Sequence, residues 1–167
     1  MFGNYAIGVC RIEPENNIHV ILEAFADASL PLMMVGNWEN SAYGRKLLER
    51  YRDNTHIFMY PSSYDHAQLD VLRWGSKLYV HGHSCGGTNP SLVEAMYLGL
   101  PIAAFDVDFN RETTENRALY FKDADGLRNL LNSLDDAKLQ EVGEAMKEIA
   151  DRRYTWQRIT GLYVDLF

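Results

Sequence analysis

KLYVHGHSCGGTNPSLVEAMYLGLPIAA, Lys77 to Ala104, is the stretch whose reading decides the fold. It parses as a buried strand, a glycine turn, the start of a helix, and a second strand entered through Gly99-Leu100-Pro101. Thr88 or Asn89 is suited to cap the helix, and Pro90 fits its first turn, where an N–H would lack a partner anyway. Free N–H groups and the helix dipole at that end favour an anion. Gly86 and Gly87 let backbone approach such a ligand without an intervening Cβ. Glu94 follows one turn into the helix, and helical side chains lean towards the N-terminus. Its carboxylate is therefore within range of a sugar hydroxyl beside a bound phosphate. The plainer alternative is a tight strand–helix turn with a solvated glutamate.

Working outward, the chain alternates strand and helix. Tyr5–Cys10, Leu30–Val35, Ile57–Tyr60, Leu78–His81, Pro101–Phe105 and a short Leu119–Phe121 read as strands. Ile18–Ala28, Tyr43–Arg52, Ala67–Trp74, the segment after Asn89, Gly126–Leu134, Lys138–Arg153 and Trp156–Phe167 read as helices. Such alternation predicts an α/β fold, a Rossmann-like doubly wound parallel sheet of about six strands. Ligands of such sheets lie at the carboxyl ends of the strands. Arg11, the Tyr60–Asp65 loop and the His81–Asn89 loop then share one edge. The charged run Asp106–Glu112 reads as a solvated loop.

With 167 residues, 47% of them apolar and 23% charged, the chain suits one soluble globular domain, residues 1–167, without repeats or linkers. A formal charge of −7 argues against nucleic acid as a partner, so any anion must be held locally. Two cysteines, Cys10 and Cys85, fit a reducing compartment better than a disulfide framework. No apolar run approaches a membrane span. The sequence opens almost directly on a strand, and we read it as a domain cut from a larger protein.

GVCRIEPENNIHVILEAF, MMVGNW, the segment Tyr79–Ala104, FDVDFNRETTEN and YTWQRITGLYVDLF resemble, in order, the C-terminal half of a GT-B glycosyltransferase of family 4. CRIEPENN and GHSCGGTNPSLVEAM look most similar to rhamnosyltransferase-like enzymes of bacterial surface-polysaccharide and O-antigen assembly. The resemblance implies the half that binds the nucleotide-sugar donor. It implies retaining transfer from a dTDP- or UDP-sugar to a glycan or lipid-linked acceptor, with no metal or other cofactor. The N-terminal acceptor half would be absent, leaving the isolated domain inactive. The setting implied is cytoplasmic, or peripheral at the cytoplasmic face of the inner membrane.

The same resemblance assigns residues. Arg11 stands where the family has a cation for the donor diphosphate, and Glu94 where it has the ribose carboxylate; these two are the catalytic candidates. The lysine the family places five residues after the arginine is Asn16 here. The glutamate it places on the donor sugar is Gly86 here, which leaves Gly86 and His83 on the sugar side and fits a deoxysugar. Thr88, Asn89 and Ser91 supply diphosphate donors beside Gly87. Tyr60 and Pro61 open the loop through Tyr64 where the family holds the base.

Other readings compete. His81-x-His83-x-Cys85 puts three ligand-type residues on one strand face, but it lacks a fourth. A dinucleotide oxidoreductase needs G-x-G-x-x-G where this chain has GVCRIEP. A sugar-nucleotide 2-epimerase of the same two-domain fold, or a non-catalytic nucleotide-binding module, stays as an alternative. Trp156, Ile159, Tyr163 and Phe167 form an apolar stripe on the last helix and predict self-association where it is left uncovered.

Overall fold

Along Leu78–His81 successive side chains enter opposite apolar layers, Leu78 and Val80 into one and Tyr79 into the other. The same two-residue period sorts Ala6 from Ile7 and Ala103 from Ile102 and Ala104. Both faces of these strands are therefore covered, as a parallel sheet requires. The computed structural model describes residues 3–164. Six strands, β1 (Ala6–Val9), β2 (Leu32–Gly36), β3 (Ile57–Pro61), β4 (Leu78–His81), β5 (Ile102–Phe105) and β6 (Leu119–Phe121), pair in parallel throughout. Their order is β3-β2-β1-β4-β5-β6, the doubly wound α/β arrangement expected from the sequence.

Eight helices cover the sheet among the described residues: α1 (Ile18–Phe25), α2 (Ala42–Tyr51), α3 (His66–Trp74), α4 (Pro90–Tyr97), α5 (Asp108–Thr113), α6 (Ala124–Ser133), α7 (Asp136–Arg153) and α8 (Trp156–Val164). Ile21, Leu22, Phe25, Leu47 and Leu127 carry α1, α2 and α6 into the layer below Leu78 and Val80. Leu69, Leu92, Met96, Met146 and Ile149 bring α3, α4 and α7 against Tyr79 on the other face. None of the described helices is long and apolar enough to cross a membrane.

α1 and α8 start at Ile18 and Trp156 as expected, whereas α2, α3, α6 and α7 start one or two residues earlier than expected, for one reason. Ser41, Asp65, Asp123 and Asp135 each accept a hydrogen bond from the backbone N–H three residues on. These caps set the boundary ahead of the first apolar residue that periodicity detects.

The reading of Asp106–Glu112 as a loop is corrected, because Asp108–Thr113 is α5. The segment holds itself by polar contacts rather than an apolar stripe. Asp106 pairs with Arg111 and sits 3.7 Å from Lys122, while Asn110 and Thr113 are buried. The stripe expected on the last helix is exposed at Trp156 (82%) and Tyr163 (64%), whereas Phe167 lies outside the described residues.

Candidate functional site

The winding reverses between β1 and β4, which are neighbours in the sheet yet lead to opposite sides. A cleft of about 850 Å³ opens at their carboxyl ends. Its walls are the loop after β1 with Arg11 and Asn16, Asn37 after β2, Ser62–Tyr64 after β3, His83–Gly86 after β4, and the start of α4 with Asn89, Ser91 and Glu94.

Side-chain amides tie these loops together. Asn16 Nδ2 donates to the Arg11 carbonyl at 2.8 Å, and Asn17 Nδ2 to the Gly82 carbonyl at 2.9 Å. Ser84 donates twice to the Glu15 carbonyl, through N–H at 2.9 Å and Oγ at 2.8 Å. Fully buried Asn110 on α5 donates to the carbonyls of His83 (3.0 Å) and Phe105 (2.9 Å). Gly82 is where the two loops meet most closely, since a Cβ there would stand 2.2 Å from the Asn16 carbonyl oxygen. Asn16, where the resemblance implies a lysine, is thus buried and spends its amide on the backbone that presents Arg11.

Asn89, one of the two residues suited to the cap, is the one used: its side chain accepts from the Ser91 N–H at 3.0 Å. Ser91 Oγ contacts Asn89 Oδ1 (3.0 Å), the Val9 carbonyl (3.1 Å) and the Tyr79 hydroxyl (2.9 Å). This network fastens the start of α4 to the end of β1. Burial pushes the Tyr79 hydroxyl up to about 12, so it stays a neutral donor to that network. The Ser91 N–H is already occupied, and Pro90 has none. The N–H groups of Gly86, Gly87, Thr88 and Asn89 take no protein partner among the described residues. Gly86 makes this turn with φ 120°, a conformation that glycine adopts without strain.

Arg11 stands at the cleft mouth, its side chain 77% exposed and 3.5 Å from Glu13. Opposite, Glu94 Oε2 receives a hydrogen bond from Arg73 Nη2 at 2.5 Å. Arg73 lines the cleft yet is 1% exposed, and it also reaches Asp70 at 3.3 Å. Sequence reasoning passed over Arg73. Its signal was position: it follows Leu69 by four residues, on the buried side of α3.

His81 and His83 stack with ring centroids 4.3 Å apart. Burial holds His81 well below the ordinary imidazole range. Burial, followed by the charge of Arg11, brings His83 down to about 4. Both rings are therefore neutral near pH 7, and His83 presents an uncharged imidazole to the cleft. Among the described residues no group of three His, Cys, Asp or Glu side chains converges as a metal site, His81, His83 and Cys85 included.

Of the residues singled out from sequence, Arg11, His83, Gly86, Asn89, Ser91 and Glu94 line one cleft. Tyr60, Pro61, Gly87 and Thr88 do not. Tyr60 joins the apolar layer with Val35 and Leu69, and its carbonyl accepts from Trp38 Nε1 at 3.0 Å. Pro61 ends β3 in solvent, and the aromatic ring that borders the cleft is Tyr64. Gly87 and Thr88 are exposed at the turn, with Thr88 Oγ1 3.4 Å from Thr113 Oγ1.

Comparison with known proteins agrees with the fold. The family described as glycosyl transferases group 1 matches residues 3–152. No curated protein matches the chain. Among solved structures, Alr3699/HepE of Anabaena, in complex with UDP, superposes with a TM-score of 0.84 at 19% identity, over 98% of this chain and 48% of that one. Sucrose-phosphate synthase of Thermosynechococcus elongatus gives 0.81 at 21% identity, over 98% and 46%. The C-terminal domain of the group 1 protein LpcC of Francisella tularensis gives 0.76 at 16% identity, over 94% and 89%. The chain thus spans less than half of the first two proteins and nearly all of an isolated C-terminal domain.

Proposed function

The chain belongs to the group 1 glycosyl transferases, and on that premise we propose that it is the half of such an enzyme that binds the donor, a nucleoside diphosphate sugar. The observation that carries this is the row of N–H groups from Gly86 to Asn89, without protein partners among the described residues, which runs into the start of α4 and whose two ends, Gly86 and Asn89, line the cleft with Arg11. Backbone donors and a helix N-terminus favour a diphosphate, and a planar guanidinium adds a bidentate contact. Glu94, its Oε2 held by Arg73, receives the ribose hydroxyls. Tyr64, which lines the cleft with Ser62 and Ser63, stacks on the base. A neutral His83 forms the sugar side, with Cys85 and Gly86 beside it.

In transfer, the bond between the anomeric carbon and the diphosphate oxygen breaks, an acceptor hydroxyl oxygen takes its place with retention, and the hydroxyl proton passes to the departing diphosphate. The departing diphosphate gains negative charge. Arg11 and the N–H row stabilise that charge where it develops, which is electrostatic catalysis. These residues span about half the length of the solved proteins they are similar to, so by themselves they are expected to bind donor without transferring sugar. A UDP- or dTDP-sugar is the donor class, supported by the UDP and UDP-glucose complexes of Alr3699/HepE. The positive field comes from protein groups, so binding needs no divalent ion. Calorimetric titration with UDP, dTDP and GDP, each with and without EDTA, tests this. At least one nucleotide is expected to bind with the same affinity in both buffers. Absence of binding to all three at millimolar concentration refutes the donor role, and binding restored only by Mg²⁺ or Mn²⁺ refutes the metal independence.

A further inference from the structure

We infer that Arg73 is a positioning residue that fixes the Glu94 carboxylate for recognition of the two ribose hydroxyls. The inference rests on the nucleotide reading above and adds to it a residue on a different helix. Arg73 comes from α3, and its Nη2 holds Glu94 Oε2 on α4 at 2.5 Å. The arginine is 1% exposed while the glutamate side chain is 41% exposed, so one partner is anchored in protein and the other faces the cleft. Burying a guanidinium is costly in lost hydration, and here the cost is not fully offset, because Arg73 Nε has no partner among the described residues. A methionine or leucine on the same side of α3 would fill comparable volume without that cost. What only the arginine supplies is a directional grip on one carboxylate oxygen. That grip removes the rotational freedom of a glutamate side chain and leaves Oε1 oriented towards the ligand. Asp70, 3.3 Å from Nη1, steadies the guanidinium from its other arm.

The test reads ribose discrimination rather than affinity alone. UDP and 2′,3′-dideoxy-UDP are titrated into the wild-type chain, Arg73→Met and Arg73→Lys, with a thermal melt of each variant. The wild type should prefer UDP at least tenfold. Arg73→Met should bring the two ligands within about threefold, by weakening UDP while sparing the dideoxy analogue, because Glu94 is no longer held. A merely structural arginine would weaken both ligands alike and leave the preference intact, and that result overturns the inference. Should Arg73→Met fail to fold, Arg73→Lys carries the test: it keeps the charge but lacks the fork, so its preference should fall at least threefold, and an unchanged preference overturns the inference. A wild type that binds UDP without ribose preference overturns it while leaving nucleotide binding standing. A wild type that binds neither ligand overturns both readings.

Discussion

Gly82→Ala isolates the contact that holds the two phosphate-side loops in register. A Cβ at this position would lie 2.2 Å from the Asn16 carbonyl oxygen, 2.8 Å from Ile21 Cδ1 and 3.2 Å from the Asn16 carbonyl carbon. Ile21 can turn its terminal methyl away, but the Asn16 oxygen is backbone. Relief therefore means moving one loop by about 1 Å to reach ordinary contact distance. The Gly82 backbone is not in the left-handed region, so a clash-free alanine would stabilise the chain by about 0.4–1 kcal/mol through the unfolded state. Overpacking works against this with about 1–3 kcal/mol, and it is the larger effect. The middle of the two ranges leaves a net loss of about 1.3 kcal/mol, so at about 2–4 °C per kcal/mol for a chain of this size the melting temperature should fall by about 3–5 °C. Nucleotide affinity should fall too, because the moved loop carries Arg11. Gly161→Ala on α8 is the control, since a Cβ there meets nothing within 4 Å and the position does not line the cleft. Differential scanning calorimetry of both variants, with titration against UDP, decides the matter. An unchanged or raised melting temperature for Gly82→Ala would refute the reasoning, as would equal effects of the two alanines.

Glu94→Gln should weaken UDP binding by roughly 10- to 150-fold, the worth of a charged hydrogen bond, as measured by calorimetry. Glu112→Gln should leave it within twofold, because that side chain is 79% exposed, 3.5 Å from Arg153 and away from the cleft. The fold holds His83 at about 4, below its ordinary 6.5, so it favours the neutral ring. Its contribution to stability is therefore full above pH 6.5 and lost as pH falls towards 4. Melting curves across that window should decline in the wild type and flatten in part for His83→Gln; parallel declines would show that His83 does not titrate there. Trp156, Tyr163 and Val164 on α8 are all more than 60% exposed, so sedimentation should show concentration-dependent association that Tyr163→Glu reduces. A strictly monomeric wild type would contradict this.

The sheet and its winding were legible because β-strand apolar runs, glycine turns and helical periodicity all agree from Tyr5 to Phe105. The α4 start was legible too, because Asn89-Pro90-Ser91 carries cap and first turn in three residues. α5 was not, since DVDFNRET has no apolar stripe and its buried Asn110 is recognisable only from the carbonyls of His83 and Phe105 that it holds. Tyr60 was placed on the ligand from its strand end, whereas the layer beside Val35 and Leu69 accommodates its ring. Arg73 needed both helices: periodicity puts it inside, but only the approach of α3 to α4 brings it to Glu94. Pairings between elements distant in sequence are what single-sequence periodicity cannot supply.

The central claim is that a nucleoside diphosphate sits on the N–H row after β4. The most direct measurement is a ¹⁵N chemical-shift titration of the assigned chain with UDP. The backbone amides of Gly86, Gly87, Thr88 and Asn89 should shift most, with Arg11 and Glu94 following on the same binding curve. Shifts confined to the surface around Phe58 and Arg45, or none at saturating UDP, would contradict it.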